Sequence, residues 1–467
     1  MQAAIQPDRL KRRIYWWDTV EVESRESLRG DSRVDVAVVG GGFTGLWTAY
    51  QLKRAEPGLS VAVLEREWVG SGASGHNDGF AIALLDLSLP DLIANWGLER
   101  ARGTHEAIAR SVEEIGEFCA EHDVEADYRR PGFLSIARSG GERARLEADY
   151  QAAERMGVAW DFELLEGDAA QSVLGSPVVQ AVMREGRGAQ LNPLALTQGI
   201  AKACESMGVR VYERTPVLEV VPGDPVVCRY DGGEVKAGHA VIATNAFAWQ
   251  FREFRRKVLP LWSYALVSKP LSDEQIGRVR WRDHVGYEDK RVLVSDGRLT
   301  PDNRFLCGGA EPIYFRGNSM DRKHADSPRP YQQLHRDAME LFPMWRDLEW
   351  DYAYAGCMGM TPNFVPYFGS LGSNVHYGLA YNGHGVAPSH TGGKVLRDLV
   401  LGRASEYTEL FFVNGREPRW PPEPLRFAGA RVTTRMVLRS DMALHREKSD
   451  DPALPAVMRL NKRVLRA

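Results

Sequence analysis

The sequence predicts a two-domain α/β protein, and three observations carry that prediction. The chain has 467 residues, too many for one hydrophobic core of ordinary size. A β-branched run, Val34 to Val39, leads through a glycine-rich turn into a helical pattern from Phe43 to about Ala55. Strand and helix patterns recur down the chain, and a second strand, glycine turn and helix stand at Val375 to Val400.

The opening unit is the most informative. Val34 to Val39 has the composition of a buried parallel strand. Gly40, Gly42 and Gly45 then form G-x-G-x-x-G where the strand should become a helix. Leu46, Ala49 and Tyr50 recur at helical spacing, which predicts an amphipathic helix. Pro57 and Gly58 stop it, and Ser60 to Leu64 makes a second strand ending in Glu65 and Arg66. The first glycine permits a tight turn, the second lets the backbone approach a pyrophosphate, and the third lets the helix pack close to the strand. Phosphates would sit at the helix N-terminus, beside Phe43 and Thr44. Glu65 lies where an acid would accept hydrogen bonds from an adenosine ribose. Together these parts predict a Rossmann-type adenine dinucleotide site.

Composition narrows the class further. An apolar fraction of 44% and a charged fraction of 26% are those of a globular protein. Fifty-nine basic against 62 acidic side chains leave a net charge of -3, which points to no nucleic-acid partner. No apolar run approaches the roughly 18 residues of a spanning helix, and the start has no signal-peptide core. Five scattered cysteines without C-x-x-C predict neither disulfides nor a metal site, and a cytoplasmic location.

Along the chain, residues 1–33 read as a surface arm anchored by Tyr15, Trp16 and Trp17. Between Trp68 and Gly79, small residues crowd a loop whose backbone can run beside a flat ligand. Ser88 to about Glu121 reads as helical, with Ile108, Val112, Ile115 and Phe118 on one stripe. Tyr128 to Ala137 reads as paired strands around Pro131-Gly132, and a charged helix follows near Glu142 to Met156. Asn192 and Pro193 announce a helix running to Met207. Strands follow at Val209 to Tyr212, Val217 to Val221, Val226 to Tyr230 and Ala240 to Asn245. Lys257 to Leu271 and Leu299 to Gly309 read as strands of a second, larger sheet. The last unit, Asn382 to Val386, places a glycine turn at a helix N-terminus, a second anion site.

The motifs GGGFTG, GSGASGHNDG, MTPNFVPYFG and NGHGV together resemble FAD-dependent oxidoreductases of the D-amino-acid oxidase, glycine oxidase and sarcosine oxidase superfamily. The likeness is strongest to the gamma-glutamylputrescine oxidase branch. His76 stands where that branch commonly has arginine, and Asp78 where it has glycine. The resemblance implies a Rossmann-type FAD-binding domain and a discontinuous substrate domain on a large mixed or antiparallel sheet. The FAD domain would comprise 34–90, 190–256 and 357–402, the substrate domain 91–189 and 257–356, and a C-terminal extension without chemistry 403–467. FAD contacts would come from Gly40, Gly42, Phe43, Thr44, Gly45, Glu65 and Arg66, from Gly72, Ala73, Ser74 and Gly75, and from Val217 and Thr244. Gly383, His384, Gly385 and Val386 would face the pyrimidine edge of the flavin. The implied reaction is oxidation of a primary or secondary amine by hydride transfer to flavin N5. The imine would hydrolyse to an aldehyde, and oxygen or an electron carrier would reoxidise the flavin.

His76 and His384 are the catalytic candidates by position, although a lone histidine commonly serves structure. Asn77, Tyr264 and Met358 are candidates for the substrate cavity. Sarcosine oxidases carry a cysteinyl flavin link in the region of Cys357; the expectation here is non-covalent FAD. Amino-acid oxidases of the superfamily generally hold the substrate carboxylate with an arginine just before the Thr-Pro motif. Aligned on Thr361-Pro362, this chain has Met358 there, which predicts an amine without an essential α-carboxylate unless Arg129, Arg130 or another arginine supplies the charge. Alternatives are an amino-acid oxidase or dehydrogenase, an electron-transfer flavoprotein, and an NAD(P)H-linked oxidoreductase. Only one full dinucleotide fingerprint is present, which leaves no obvious site for a second nucleotide.

Overall fold

The computed structural model describes residues 10–445, so the outer parts of the arm and of the C-terminal extension lie outside the described residues. Two eight-stranded sheets organise the chain. In the first, strand Ser32–Val39 lies between Val61–Leu64 and Gly233–Ile242, parallel to both, with Val38 opposite Val63 and Val241. Arg210–Tyr212 extends one side; Val375–Leu379 and Tyr367–Leu371 extend the other. Every residue of Val61–Leu64 is buried, as a parallel strand covered on both faces requires.

The helix Phe43–Ala55 departs from the amphipathic expectation: Phe43 through Lys53 are all buried. It is wedged between the helices Pro193–Ser206 and Val386–Leu401. Trp47 meets Phe118 and His390 edge-on, at 4.7 and 4.5 Å between ring centroids. A periodic pattern marks the most apolar face, but here two neighbours cover the rest.

The second sheet is mixed. Its order is Trp350–Met360, Leu259–Pro270, Arg304–Ile313, Ser295–Leu299, Gly286–Asp289, Phe133–Ala137, Ala181–Glu185 and Phe162–Glu166. All neighbours are antiparallel except Gly286–Asp289 and Phe133–Ala137, which run parallel. The molecule is thus a two-domain α/β fold with mixed sheets. The helix Leu98–Glu121, within the stretch expected in the substrate domain, packs against Val386–Leu401 beside the first sheet.

Several local expectations change. Tyr128 to Ala137 is not a hairpin: Phe133–Ala137 pairs with two distant strands, while Arg129 exchanges backbone hydrogen bonds with Gln190. Gly132, at φ +89°, redirects the chain between them. The helical stretch after Ser88 breaks at Gly97 (φ +85°) into Leu89–Trp96 and Leu98–Glu121. In the arm, Tyr15 and Trp16 are buried, and Trp16 donates to the Asn77 carbonyl at 2.9 Å. All five cysteines carry free thiols. The extension forms a helix, Leu425–His445, whose Asp441 carboxylate accepts from the Val292 and Leu293 amides at 3.0 Å each.

Asn192 caps the 193–206 helix as its sequence predicts, its Oδ1 accepting from Leu194 N and Ala195 N at 3.2 and 3.1 Å. Asn192→Ala is expected to cost about 1 kcal/mol of stability, read by thermal unfolding of the holoenzyme, with Asn192→Ser recovering most of it. An unchanged midpoint in Asn192→Ala would remove the cap from the account.

Candidate functional site

A cavity of about 1370 Å³ opens between the two sheets. Ordinary small-molecule pockets hold roughly 300–1,000 Å³, so this one has room for a dinucleotide and a second ligand. Its nucleotide end is built from the first strand–turn–helix. Gly40 sits at φ +112°, and a Cβ there would lie 2.6 Å from the Ala243 carbonyl oxygen. A Cβ on Gly45 would lie 2.0 Å from the Gly40 carbonyl oxygen, which only glycine allows. At Gly42 a Cβ would meet Ser74 Oγ at 2.8 Å. Ser74 Oγ in turn accepts from Phe43 N at 2.9 Å, so the 72–75 loop is tied over the helix N-terminus.

Glu65, at the end of its strand, turns back on the glycine turn. Oε2 accepts from Gly41 N at 2.7 Å and Oε1 from Glu67 N at 2.9 Å. Burial raises its pKa, and those two amides oppose the shift. Arg66 stacks its guanidinium 4.2 Å from the Phe247 ring centroid. Thr44 Oγ1 lies 2.7 Å from the Tyr381 hydroxyl. Across the cleft, Thr244 Oγ1 is buried with no hydrogen-bond partner among the described residues. Gly72, Ala73, Ser74, Val217 and Thr244 all line the cavity; Gly45 and Gly75 stand behind it as close-packing positions. A glycine cradle, a helix N-terminus and an orphaned hydroxyl fit the pyrophosphate and ribose of FAD.

The other end holds the candidate catalytic groups. His76 Nδ1 lies 2.6 Å from the Gly72 carbonyl oxygen. A carbonyl only accepts, so Nδ1 carries the hydrogen and Nε2 the lone pair. Burial depresses the imidazole to about 4, against the pull of Gly72, so His76 is neutral. It packs on Gly356, where a Cβ would come within 3.0 Å of His76 Cβ and 3.1 Å of its ring Cγ.

His384 is the opposite case. Nε2 lies 3.0 Å from Glu288 Oε2, and Nδ1 lies 3.4 Å from Asp86 Oδ1. Burial alone would lower its pKa, but the two carboxylates outweigh it and hold His384 well above the ordinary value. It is an imidazolium with no lone pair to take a proton. The same Asp86 accepts from the Gly383 and His384 amides at 3.0 and 3.4 Å, fixing the turn before Val386–Leu401. Gly383, Gly385 and Val386 line the cavity with it.

The three lesser candidates, Asn77, Tyr264 and Met358, all line the cavity. Asn77 spends its side chain on its own loop, donating to Ala73 and Ser74 carbonyls at 3.0 Å and accepting from Gly79 N at 2.9 Å. It borders the cavity with both amide hydrogens spent on the loop. Tyr264 presents its ring, while its hydroxyl donates to the His324 carbonyl at 2.9 Å. Met358 lines the cavity within an apolar cluster of Leu259, Leu261, Tyr314, Met360, Trp420 and Phe427. Cys357 is half-buried beside it, and burial pushes its thiol pKa well up. Arg129 and Arg130 do not line the cavity; Arg130 pairs with Glu113 at 3.0 Å.

Sequence reasoning missed three features. Asp78 and Asp296 bring their carboxyl groups within hydrogen-bond reach in the cavity wall. Burial raises both, Asp78 to about 6, and the pair shares a proton because like charges that close do not both ionise. Arg298, fully buried, donates to the carbonyls of Gly79 and Leu191 at 3.2 and 2.9 Å and holds the loop from behind. Trp420 and Arg426 of the extension also line the cavity. Asp78 was visible as a departure in the glycine-rich loop; the others depend on sheet pairing and docking that no local pattern encodes. Among the described residues no group of three His, Cys, Asp or Glu side chains could hold a metal ion. No described helix is long and apolar enough to cross a membrane.

A single glycine-cradled dinucleotide cleft, opening onto a cavity roofed by a second sheet, defines a flavin-dependent oxidoreductase. Residues 35–399 match the DAO family, FAD dependent oxidoreductase, and the chain belongs to that family. It is 30% identical over 384 residues to the gamma-glutamylputrescine oxidoreductase of Escherichia coli (strain K12), spanning 82% of this chain and 87% of that protein. It is 25% identical to a glycine oxidase of Bacillus licheniformis, over 82% of this chain and 98% of that one. In structure it resembles glycine oxidase from Geobacillus kaustophilus, with TM-score 0.68, 20% identity and coverage of 80% and 96% of the two chains. L-proline dehydrogenase from P. horikoshii shares the fold at TM-score 0.69 and 18% identity, over 82% and 98%.

Gly42→Val would drive its side chain into Ser74 Oγ and lift the loop from the helix N-terminus. Flavin content of the purified variant is expected to collapse; full stoichiometric FAD would sink the assignment of this turn.

Proposed function

We propose that this enzyme oxidises a primary or secondary amine that needs no α-carboxylate for binding. FAD, when bound, supplies the two-electron acceptor; the chain supplies binding, orientation and proton control. The observation that carries the reading is Met358, which stands in the cavity wall among Leu259, Leu261 and Met360. A methionine there cannot pair with a carboxylate, and an α-carboxylate against that apolar wall would lose its hydration without a partner. The likeness to a gamma-glutamylputrescine oxidoreductase supports the same class.

An amine reaches the site mostly as ammonium, which has no lone pair to release. The amine therefore sheds its proton to solvent on entering, and His76, neutral with its Nδ1 hydrogen fixed on Gly72, offers the Nε2 lone pair as a hydrogen-bond acceptor that orients the free base. Asn77 and Arg298 hold the loop that carries His76, by bonds to backbone alone. His384, locked as a cation between Asp86 and Glu288, balances part of their charge and fixes the 383–386 turn, while the N-terminal end of the following helix favours negative charge developing nearby. Loss of a hydride (two electrons and a proton) from the carbon of the free amine leaves an iminium ion, loss of the nitrogen proton gives the imine, and water converts it to an aldehyde and the free amine or ammonia. Oxygen or an electron carrier then completes the cycle.

FAD is held without a covalent bond to Cys357. Burial pushes the thiol pKa up, so the thiolate needed for attachment is scarce. Acid precipitation is expected to leave a colourless pellet and a yellow supernatant; a pellet that stays yellow would overturn this.

The substrate class is tested by anaerobic flavin reduction with an amine and with its α-carboxylated analogue. The amine is expected to be the better reductant, and Met358→Arg to shift the ratio towards the amino acid. A preference of about tenfold or more for the amino acid, a difference of about 1.4 kcal/mol, would refute the reading.

A further inference from the structure

The register of the second sheet sets Glu288, Asp296, Gly308, Ala265 and Tyr354 opposite one another in a single row across five adjacent strands. Directly opposed residues share one face of a sheet. Glu288, Asp296, Ala265 and Tyr354 all line the cavity, so the row forms part of its wall. At one end His384 Nε2 lies 3.0 Å from Glu288. At the other, Tyr354 stands two residues from Gly356, on which His76 packs.

Gly308 is the gap in that row. A Cβ there would lie 2.1 Å from Asp78 Oδ2 and 3.2 Å from Asp296 Oδ1, so glycine leaves the slot into which the 72–79 loop lowers Asp78. The two carboxyls meet over it within hydrogen-bond reach. Oδ1 of each is buried with no other partner among the described residues, which is the place for a shared proton. No described group donates to either Oδ2, and both residues line the cavity.

Two neighbours carry unused polar atoms as well. Tyr354 is 4% exposed, and its hydroxyl has no partner among the described residues; the charges of Asp78 and Asp296 act on it. Arg298 is fully buried, with Nη1 donating to the Asp78 carbonyl at 3.3 Å and Nη2 without a described partner. Its positive charge offsets the one negative charge left on the acid pair. Unused hydrogen-bonding atoms gathered at one point of a cavity call for a ligand or a catalytic role.

An acid pair with one proton holds a group that gives a proton beside a group that takes one. Adding water to a carbon–nitrogen double bond needs both at once. Building on the amine-oxidase reading, we propose that Asp78 and Asp296 form a second catalytic unit, which hydrolyses the product imine inside the cavity. The carboxylate takes a proton from water as the water oxygen bonds to the imine carbon. The carboxyl gives its proton to nitrogen as the carbon–nitrogen π bond opens, leaving a carbinolamine. Their roles then exchange: the new carboxylate takes the hydroxyl proton, the new carboxyl protonates nitrogen, and the carbon–nitrogen bond breaks. Aldehyde and amine or ammonia leave, and the pair keeps one proton throughout. Asp78 stands where the gamma-glutamylputrescine oxidase branch commonly has glycine, so the activity belongs to this chain's own loop.

The test reads which product leaves rather than how fast the flavin is reduced. FAD holoenzyme, in excess over n-butylamine, n-hexylamine or benzylamine, completes one anaerobic turnover with cyanide present. Cyanide traps a released imine as an aminonitrile and a released aldehyde as a cyanohydrin. The wild type is expected to yield mainly cyanohydrin. Asp78→Asn and Asp296→Asn should each raise the ratio of aminonitrile to cyanohydrin at least about tenfold, the lower end of what acid–base catalysis supplies. Aminonitrile as the main wild-type product, or an unchanged ratio in a flavin-replete variant, overturns the proposal. Should the asparagine variants lose their flavin, Asp78→Gly decides by the same ratio, and an unchanged value rejects the pair. Failure of every amine to reduce the flavin would sink the amine-oxidase reading instead. The pair is then judged with preformed N-benzylidenebutylamine, whose hydrolysis is followed by loss of its ultraviolet band. Faster hydrolysis by the wild type than by Asp78→Asn supports the pair, and equal rates overturn it.

Discussion

The close approach of the 43–55 helix to the turn at Gly40 is the constraint on which the rest depends. With a Cβ at Gly45 the helix would stand off from the Gly40 carbonyl, whose oxygen lies only 2.0 Å from where that atom would be. Because the helix sits so low, its N-terminus opens directly into the cleft, and Ser74 can reach down to the Phe43 amide. That bond carries the 72–79 loop across the helix end, and the loop carries His76 into the cavity. A helix so placed must be apolar on nearly every side, since Pro193–Ser206 and Val386–Leu401 both press on it. Site geometry and core packing therefore share one origin.

Electrostatics divides the cavity into regions of different character. Two histidines of the same ordinary pKa are driven apart by their surroundings: burial and a single carbonyl keep His76 neutral, and two carboxylates keep His384 charged. Pairs of titratable groups separated in this way can take distinct proton-handling roles at one pH. Asp78 and Asp296 add a shared proton close to the loop. The wall around Leu259, Leu261, Met358 and Met360 is apolar.

The nucleotide-binding half was legible because its instructions are local. Strand, glycine turn, helix, second strand and terminal acid occupy 34 to 65 in order, and each part depends mainly on residues a few positions away. The Asn192 cap and the glycine turn at 383–385 were readable for the same reason. The false hairpin at Tyr128 to Ala137 shows the limit: strand character is local, but the partners of Phe133–Ala137 lie about fifty and one hundred and fifty residues further on. Asn77 lines the cavity as its type suggested, but only the structure shows that the loop's own carbonyls take both its amide hydrogens.

By itself, then, the sequence determined the dinucleotide cleft, the mixed two-domain class and the absence of an arginine at Met358. Tertiary structure alone decided which histidine is neutral and which charged, because those states depend on Gly72 in one case and on Asp86 and Glu288 in the other. It alone brought the extension back, some seventy residues after Met358, to lay Trp420 on Met360 and set Arg426 in the wall. The physical reason is range: backbone conformation and burial pattern are written in neighbouring residues, whereas the charge state of a buried group is set by whatever the fold places beside it.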